Sequence, residues 1–128
     1  MLKFTSALCV AVVATGALGT SAVAQMPAGN AANGAKVFKE CTICHSAEKG
    51  MNRVGPTLHG VVGRKAGIVP GFEYSAANLR SRATWDEAYL YRYLEAPPTF
   101  MPGTKMTFPG LKNPQDRADV VAFLKTKS

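Results

Sequence analysis

Cys41-Thr42-Ile43-Cys44-His45 is the stretch on which the reading of this chain turns. Two thiols stand three positions apart, and an imidazole follows the second directly. That spacing lets both sulfurs add to the two vinyl groups of one haem while His45 binds its iron, the c-type haem attachment pattern. Five residues with two free positions also arise by chance in unrelated chains. The surrounding sequence must therefore supply a second axial donor, a pocket and a suitable compartment.

Toward the N-terminus, Lys3 is the only charge before a small and apolar run from Phe4 to Gly19. Ala22-Val23-Ala24 offers a small-x-small cleavage site, with Gln25 as the expected mature start. Residues 1–24 therefore read as a Sec-type signal peptide and residues 25–128 as one mature domain, exported to a bacterial periplasm. The competing reading is an uncleaved anchor, since a membrane span needs about 20 residues. Thr5, Ser6, Thr15, Gly16, Gly19, Thr20 and Ser21 dilute that segment and favour cleavage. Cleavage would remove Lys3 and Cys9, taking the formal net charge from +7 to +6. Both remaining cysteines lie in the motif, so no disulfide framework is available. The basic residues are scattered singly, which suits steering toward acidic partners. With no basic block or nucleic-acid module, nucleic acid is not an expected partner.

Downstream, the chain reads as short helices and long loops. A first helix spans about Asn30 to Cys44, capped by Asn30 or Asn33. Residues 47–71 are rich in Gly and Pro and keep neither helical nor strand periodicity. Ser75 caps a turn through Leu79. Thr84-Trp85-Asp86-Glu87 has the capping-box pattern and opens a helix that ends before Pro97-Pro98. Residues 97–112 form a second loop. Asn113-Pro114-Gln115-Asp116 starts a last helix with Val120, Phe123 and Leu124 on its apolar face. Long structureless loops suit an all-α domain wrapped around a prosthetic group. The haem-free chain is expected to fold poorly, because forming the site would be part of folding.

His59, Met51, Met101 and Met106 are the candidates for the second axial donor. A distal donor must come from chain that has passed round the ring, which disfavours Met51 and His59. Between Met101 and Met106 the residues alone do not choose, since either also serves as apolar filling.

Several blocks in order carry a resemblance: Gly55-Pro56-Thr57-Leu58-His59-Gly60, Gly63-Arg64-Lys65-Ala66-Gly67, Tyr74-Ser75-Ala76-Ala77-Asn78, Met101-Pro102-Gly103-Thr104-Lys105-Met106 and Arg117-Ala118-Asp119-Val120. From about Gly34 to Lys125 the sequence resembles the class I c-type cytochromes of the mitochondrial and alphaproteobacterial short-chain kind. The resemblance implies the cytochrome c fold around one haem c, covalent through Cys41 and Cys44. It also implies axial donors His45 and Met106. The Pro56 carbonyl would accept from His45, and Arg64, Tyr74 and Trp85 would meet the propionates. Tyr93, Asn78 and Thr104 would form the hydrogen-bonded set behind the methionine. Gly34, Phe38 and Phe123 would pair the first and last helices. Where the relatives carry a lysine cluster, only Lys112 remains.

The expected function is a soluble, monomeric one-electron carrier and not an enzyme. Its partners would be membrane complexes: a cytochrome bc-type donor, and a terminal oxidase, reaction centre or reductase as acceptor. Lys39, Lys49, Lys105 and Lys112 are candidates for the docking rim. The main alternative is a haem peroxidase or ligand-binding haem sensor with an open sixth position. A thiol–disulfide oxidoreductase would want a βαβ pattern around the motif, which this chain lacks.

Overall fold

Helices α1 (Ala31–Val37) and α5 (Pro114–Lys125), from opposite ends of the sequence, cross at close range and frame the domain. Glycine makes the crossing possible: a Cβ at Gly34 would collide with the Asp119 carbonyl oxygen and the Phe123 Cβ. Beside that contact the Phe38 and Phe123 rings pack with centroids 5.0 Å apart. The buried Asp119 carboxylate accepts from the Asn30 backbone N–H at 2.8 Å and from the Gln115 side chain at 2.7 Å. A polar clasp and an aromatic pair thus hold the two helices together. This computed structural model describes residues 25–128, and the expected signal segment over residues 1–24 lies outside the described residues.

Asn30 caps α1, accepting from the Asn33 N–H at 3.0 Å. The expected helix to Cys44 changes character halfway. After Val37 the chain tightens into a 3₁₀ segment, Phe38–Ile43. Three residues per turn bring Phe38 and Cys41 onto one side. Ser75 caps α2 (Ala76–Ser81), accepting from Asn78 N–H at 3.1 Å. The next helix starts two residues later than the capping box implied. Asp86 caps α3 (Glu87–Tyr93), accepting from Tyr89 N–H at 2.7 Å, while Thr84 pairs across an isolated bridge with Lys65. Aspartate also caps well, and the backbone bond from Trp85 N–H to the Arg64 carbonyl keeps Trp85 out of the helix. The second loop also contains a short helix, α4 (Pro97–Phe100), whose first turn tolerates the prolines because those N–H groups would be unpaired anyway. For α5 the expectation is met: Asn113 caps, Pro114 sits in the first turn and Val120 and Leu124 are buried.

The loops lack ladder partners, so side chains satisfy their backbone groups. Thr57 Oγ1 donates to the Glu48 carbonyl at 2.6 Å, and Asn52 Nδ2 to the Pro70 carbonyl at 2.9 Å. Arg64 donates to the carbonyls of His59 and Thr57 at 2.8 and 2.9 Å. Buried Arg117 does the same for the late loop, donating to the Leu111 carbonyl at 2.7 Å and stacking over Tyr91. No strand forms among the described residues, and none of their helices is long and apolar enough to cross a membrane. Val61, Trp85, Leu90, Tyr93, Leu94, Val120 and Leu124 belong to the buried core and also face one internal cavity.

Candidate functional site

The cavity has a volume of about 390 Å³ and is walled mostly by apolar side chains from α3, α5 and both loops. Cys41, Cys44 and His45 line it, together with Pro56, Arg64, Tyr74, Asn78, Trp85, Tyr93, Thr104 and Met106. Every residue anticipated for the haem site therefore faces one space, from positions spread along most of the described chain. Of the four candidates for the second axial donor, only Met106 lines it. Met51 is exposed, Met101 is buried in the core, and His59 lies outside, its N–H on Thr57 Oγ1.

The His45 Nδ1–H donates to the Pro56 carbonyl at 2.7 Å, which leaves the Nε2 lone pair available. Burial holds His45 below the usual imidazole value; the Pro56 bond opposes the shift and the Arg64 charge adds to it. The ring is consequently neutral at pH 7, the state in which imidazole binds metal. Cys41 and Cys44 are not joined to each other in a disulfide. Burial, with the Glu40 carboxylate beside it, pushes the Cys41 thiol up to about 11.

On the methionine side, Tyr93 Oη donates to Met106 Sδ at 3.2 Å, and Thr104 Oγ1 accepts from the Met106 N–H at 3.2 Å. Burial raises the Tyr93 phenol above its ordinary value; a Thr104 hydrogen bond opposes this and Tyr89 reinforces it. The hydroxyl therefore stays a donor. Asn78 lines the cavity but does not bond Tyr93, Thr104 or Met106. No direct hydrogen bond thus joins Asn78 to the Tyr93, Thr104 and Met106 set.

Unpaired polar atoms test whether a haem suits this space. Among the described residues, the buried side-chain atoms without a partner are Arg64 Nε, Asn78 Oδ1 and Arg117 Nε. The first two belong to cavity-lining residues. Burial lowers the Arg64 pKa, with Tyr74 acting against it, and no carboxylate pairs with Arg64 among the described residues. A half-buried guanidinium with a buried, idle Nε–H calls for an anion. Tyr74 Oη accepts from the Val69 N–H at 3.2 Å, so its own proton remains free to donate. An apolar slot with a cation and a phenol on its wall, two thiols and a neutral imidazole fits a haem with its propionates.

Comparison with known proteins decides the family. The cytochrome c family profile matches residues 31–128. The chain belongs to the cytochrome c family. It is similar to cytochrome c2 of Rhodomicrobium vannielii, 57% identical over 104 residues that cover 78% of this chain and 81% of that protein. Cytochrome c of Nigella damascena is 48% identical over 103 residues, covering 79% of this chain and 93% of the relative. Among solved structures, cytochrome cH from Methylobacterium extorquens aligns with a TM-score of 0.73 and 50% identity, over 77% of this chain and all of that one. As a member of this family, the cytochrome is an electron carrier and holds haem c covalently through Cys41 and Cys44.

Two wall features escaped the sequence reading. Leu90 and Leu94, at i and i+4, form the α3 contribution; their helical spacing was a usable signal. Gly55 also lines the cavity, against His45, and nothing in its local sequence marks it beyond a turn.

Proposed function

We propose that this cytochrome c is an exported, monomeric one-electron carrier. Its haem iron would be held by His45 and Met106, and it would move electrons between membrane redox complexes in a bacterial periplasm. The observation that carries this reading is the Tyr93–Met106 contact at 3.2 Å within the cavity that His45 also lines. A thioether has two lone pairs, so a phenol on one leaves the other for a metal.

Bound in this slot, haem c supplies an iron that takes up and returns a single electron. Pro56 fixes the His45 tautomer and, by accepting from Nδ1, makes Nε2 a stronger donor. Tyr93 holds the Met106 side chain in place and draws density from its sulfur. The apolar wall of Leu58, Leu90, Leu94 and Leu124 favours the less charged ferrous state. With His45 and Met106 both holding the iron, exchangeable ligands would be kept out, which disfavours the peroxidase or open-site sensor. Thr104, Lys105 and Thr107 line the cavity near Met106 in sequence and offer no acid–base constellation of the peroxidase kind. Arg64 and Tyr74 are suited to neutralise the propionates, with Trp85 beside them.

For partners, a cytochrome bc-type donor and a terminal oxidase, reaction centre or reductase as acceptor match a small basic carrier. Of the candidate rim lysines, Lys105 stands at the cavity mouth, and Lys39 and Lys49 are exposed. Lys112 is turned back onto the Glu95 and Pro109 carbonyls at 2.7 and 3.3 Å. Steering by such charges speeds encounter and weakens with salt. Stopped-flow reduction by an isolated bc-type complex should slow as ionic strength rises, with the mature N-terminus at Gln25 by mass spectrometry. A rate indifferent to salt would rule out an acidic membrane partner.

A further inference from the structure

Gly55 is buried against the His45 imidazole. A Cβ added to it would run into Cε1, Nδ1 and Nε2, the side of the ring that carries both nitrogens. Gly55 is also absent from the glycines with positive φ, so its backbone conformation is open to any residue. The three atoms nearest to such a Cβ all belong to the imidazole, which is what calls for glycine there. Gly60 and Gly63 are the reverse case, with φ of 65° and 87° and nothing within 4 Å of an added Cβ.

The turn that carries Gly55 is tied back to the haem motif. Gly55 N–H donates to the Cys44 carbonyl at 2.8 Å, and its carbonyl accepts from Arg53 N–H at 2.9 Å. Arg53 Nη1 donates to the Thr42 carbonyl at 2.9 Å. The next residue, Pro56, supplies the acceptor for His45 Nδ1. Two consecutive residues thus restrain one ring: Pro56 sets the direction of Nδ1, and the bare Cα of Gly55 sets how closely that side can lie. An orientation needs two contacts, and a hydrogen bond alone leaves the ring free to swing about it.

We propose that Gly55 is a positioning residue for the axial histidine, its missing side chain fixing the plane in which His45 presents Nε2. The proposal rests on His45 being an iron ligand. A methyl group at this position would push the ring off the Pro56 carbonyl. A weaker Nδ1 bond makes a less basic ligand and a less stabilised ferric state.

The test compares Gly55→Ala with Gly60→Ala and Gly63→Ala in the haem-loaded protein. Gly55→Ala should raise the reduction potential and shift the g values of the ferric electron paramagnetic resonance spectrum. The two control variants should lower the thermal midpoint through backbone strain and leave potential and g values unchanged. A Gly55→Ala variant that loses thermal stability with potential and g values unaltered would reduce Gly55 to ordinary packing. Should that variant take up no haem, the unmutated protein decides by nuclear magnetic resonance. The Gly55 α-proton signals should then move strongly between the ferric and ferrous states, and signals that stay in place would overturn the clamp. The His45 ring nitrogens report separately on ligation in the same samples. If they show no bond to iron, the function proposed above fails; if they do and Gly55 is silent, only the clamp fails.

Discussion

Residues 44–58 and residues 101–111 each bring a candidate iron donor to one cavity, and they hold it by different means. Around His45 the restraints are main-chain groups: Pro56 O on Nδ1, Gly55 N–H on Cys44 O, and Leu58 N–H on Ser46 O at 2.8 Å. Around Met106 they are hydroxyls: Tyr93 Oη on the sulfur and Thr104 Oγ1 on its N–H. Outside these, an exposed Lys105–Glu73 pair at 3.5 Å crosses from the late loop. Backbone groups beside a covalent anchor have little freedom to move, whereas side-chain hydroxyls can rotate away. The histidine side is therefore the fixed wall and the methionine side the wall that gives first.

The largest test removes what both sides share. Without haem, the apolar side chains that line the 390 Å³ cavity lose their common packing partner, so forming the site is part of folding. Haem-free protein should show weak, non-cooperative helical circular dichroism, and a sharp two-state melt with full helix content would refute this.

A smaller change separates the two walls. Tyr93→Phe should cost about 1 kcal/mol, the net worth of one buried hydrogen bond. That loss should appear as earlier release of Met106 in a denaturant titration followed by the sulfur-to-iron charge-transfer band, with His45 still bound. Simultaneous loss of both ligands would contradict the asymmetry.

Acidity sharpens the same contrast. The buried Tyr93 phenol has its folded-state pKa raised above the ordinary 10.0. Its contribution is thus fully present below pH 10 and lost as pH rises through the raised value. Wild-type and Tyr93→Phe proteins should differ in stability by a constant amount up to pH 10 and converge above it. A gap that closes well below pH 10 would show that the phenol is not held this way.

The smallest expected effect is at the surface. Lys105→Ala should change stability by a few tenths of a kcal/mol at most, since the Lys105 and Glu73 side chains are 54% and 96% exposed. A loss above 1 kcal/mol in thermal melts would mean that this strap, and not Tyr93, secures the loop.

Much of this arrangement was legible in the chain itself. The cysteine spacing announces covalent attachment, and the Asn30, Ser75 and Asn113 caps mark three helix starts because a short polar side chain has few other uses before an apolar run. Legibility failed where tertiary bonds competed with local preference. Thr84 looked like a cap until the Lys65 bridge and the Arg64–Trp85 backbone bond drew that stretch out of the helix. Met101 and Met106 cannot be told apart locally, since both follow loop residues near proline or glycine. The fold distinguishes them by sending one side chain into the core and the other to the cavity. Gly55 was hidden for a related reason: its significance lies in a ring ten residues away, and a glycine in a turn carries no sign of what it makes room for.

If one iron is held between His45 and Met106, the Met106→Ala variant is where it must show. Spectroelectrochemistry of the haem-loaded variant should show the sulfur-to-iron band gone and the reduction potential lowered, with the haem still attached at Cys41 and Cys44. An unchanged band and an unchanged potential would place the second donor elsewhere and contradict the claim.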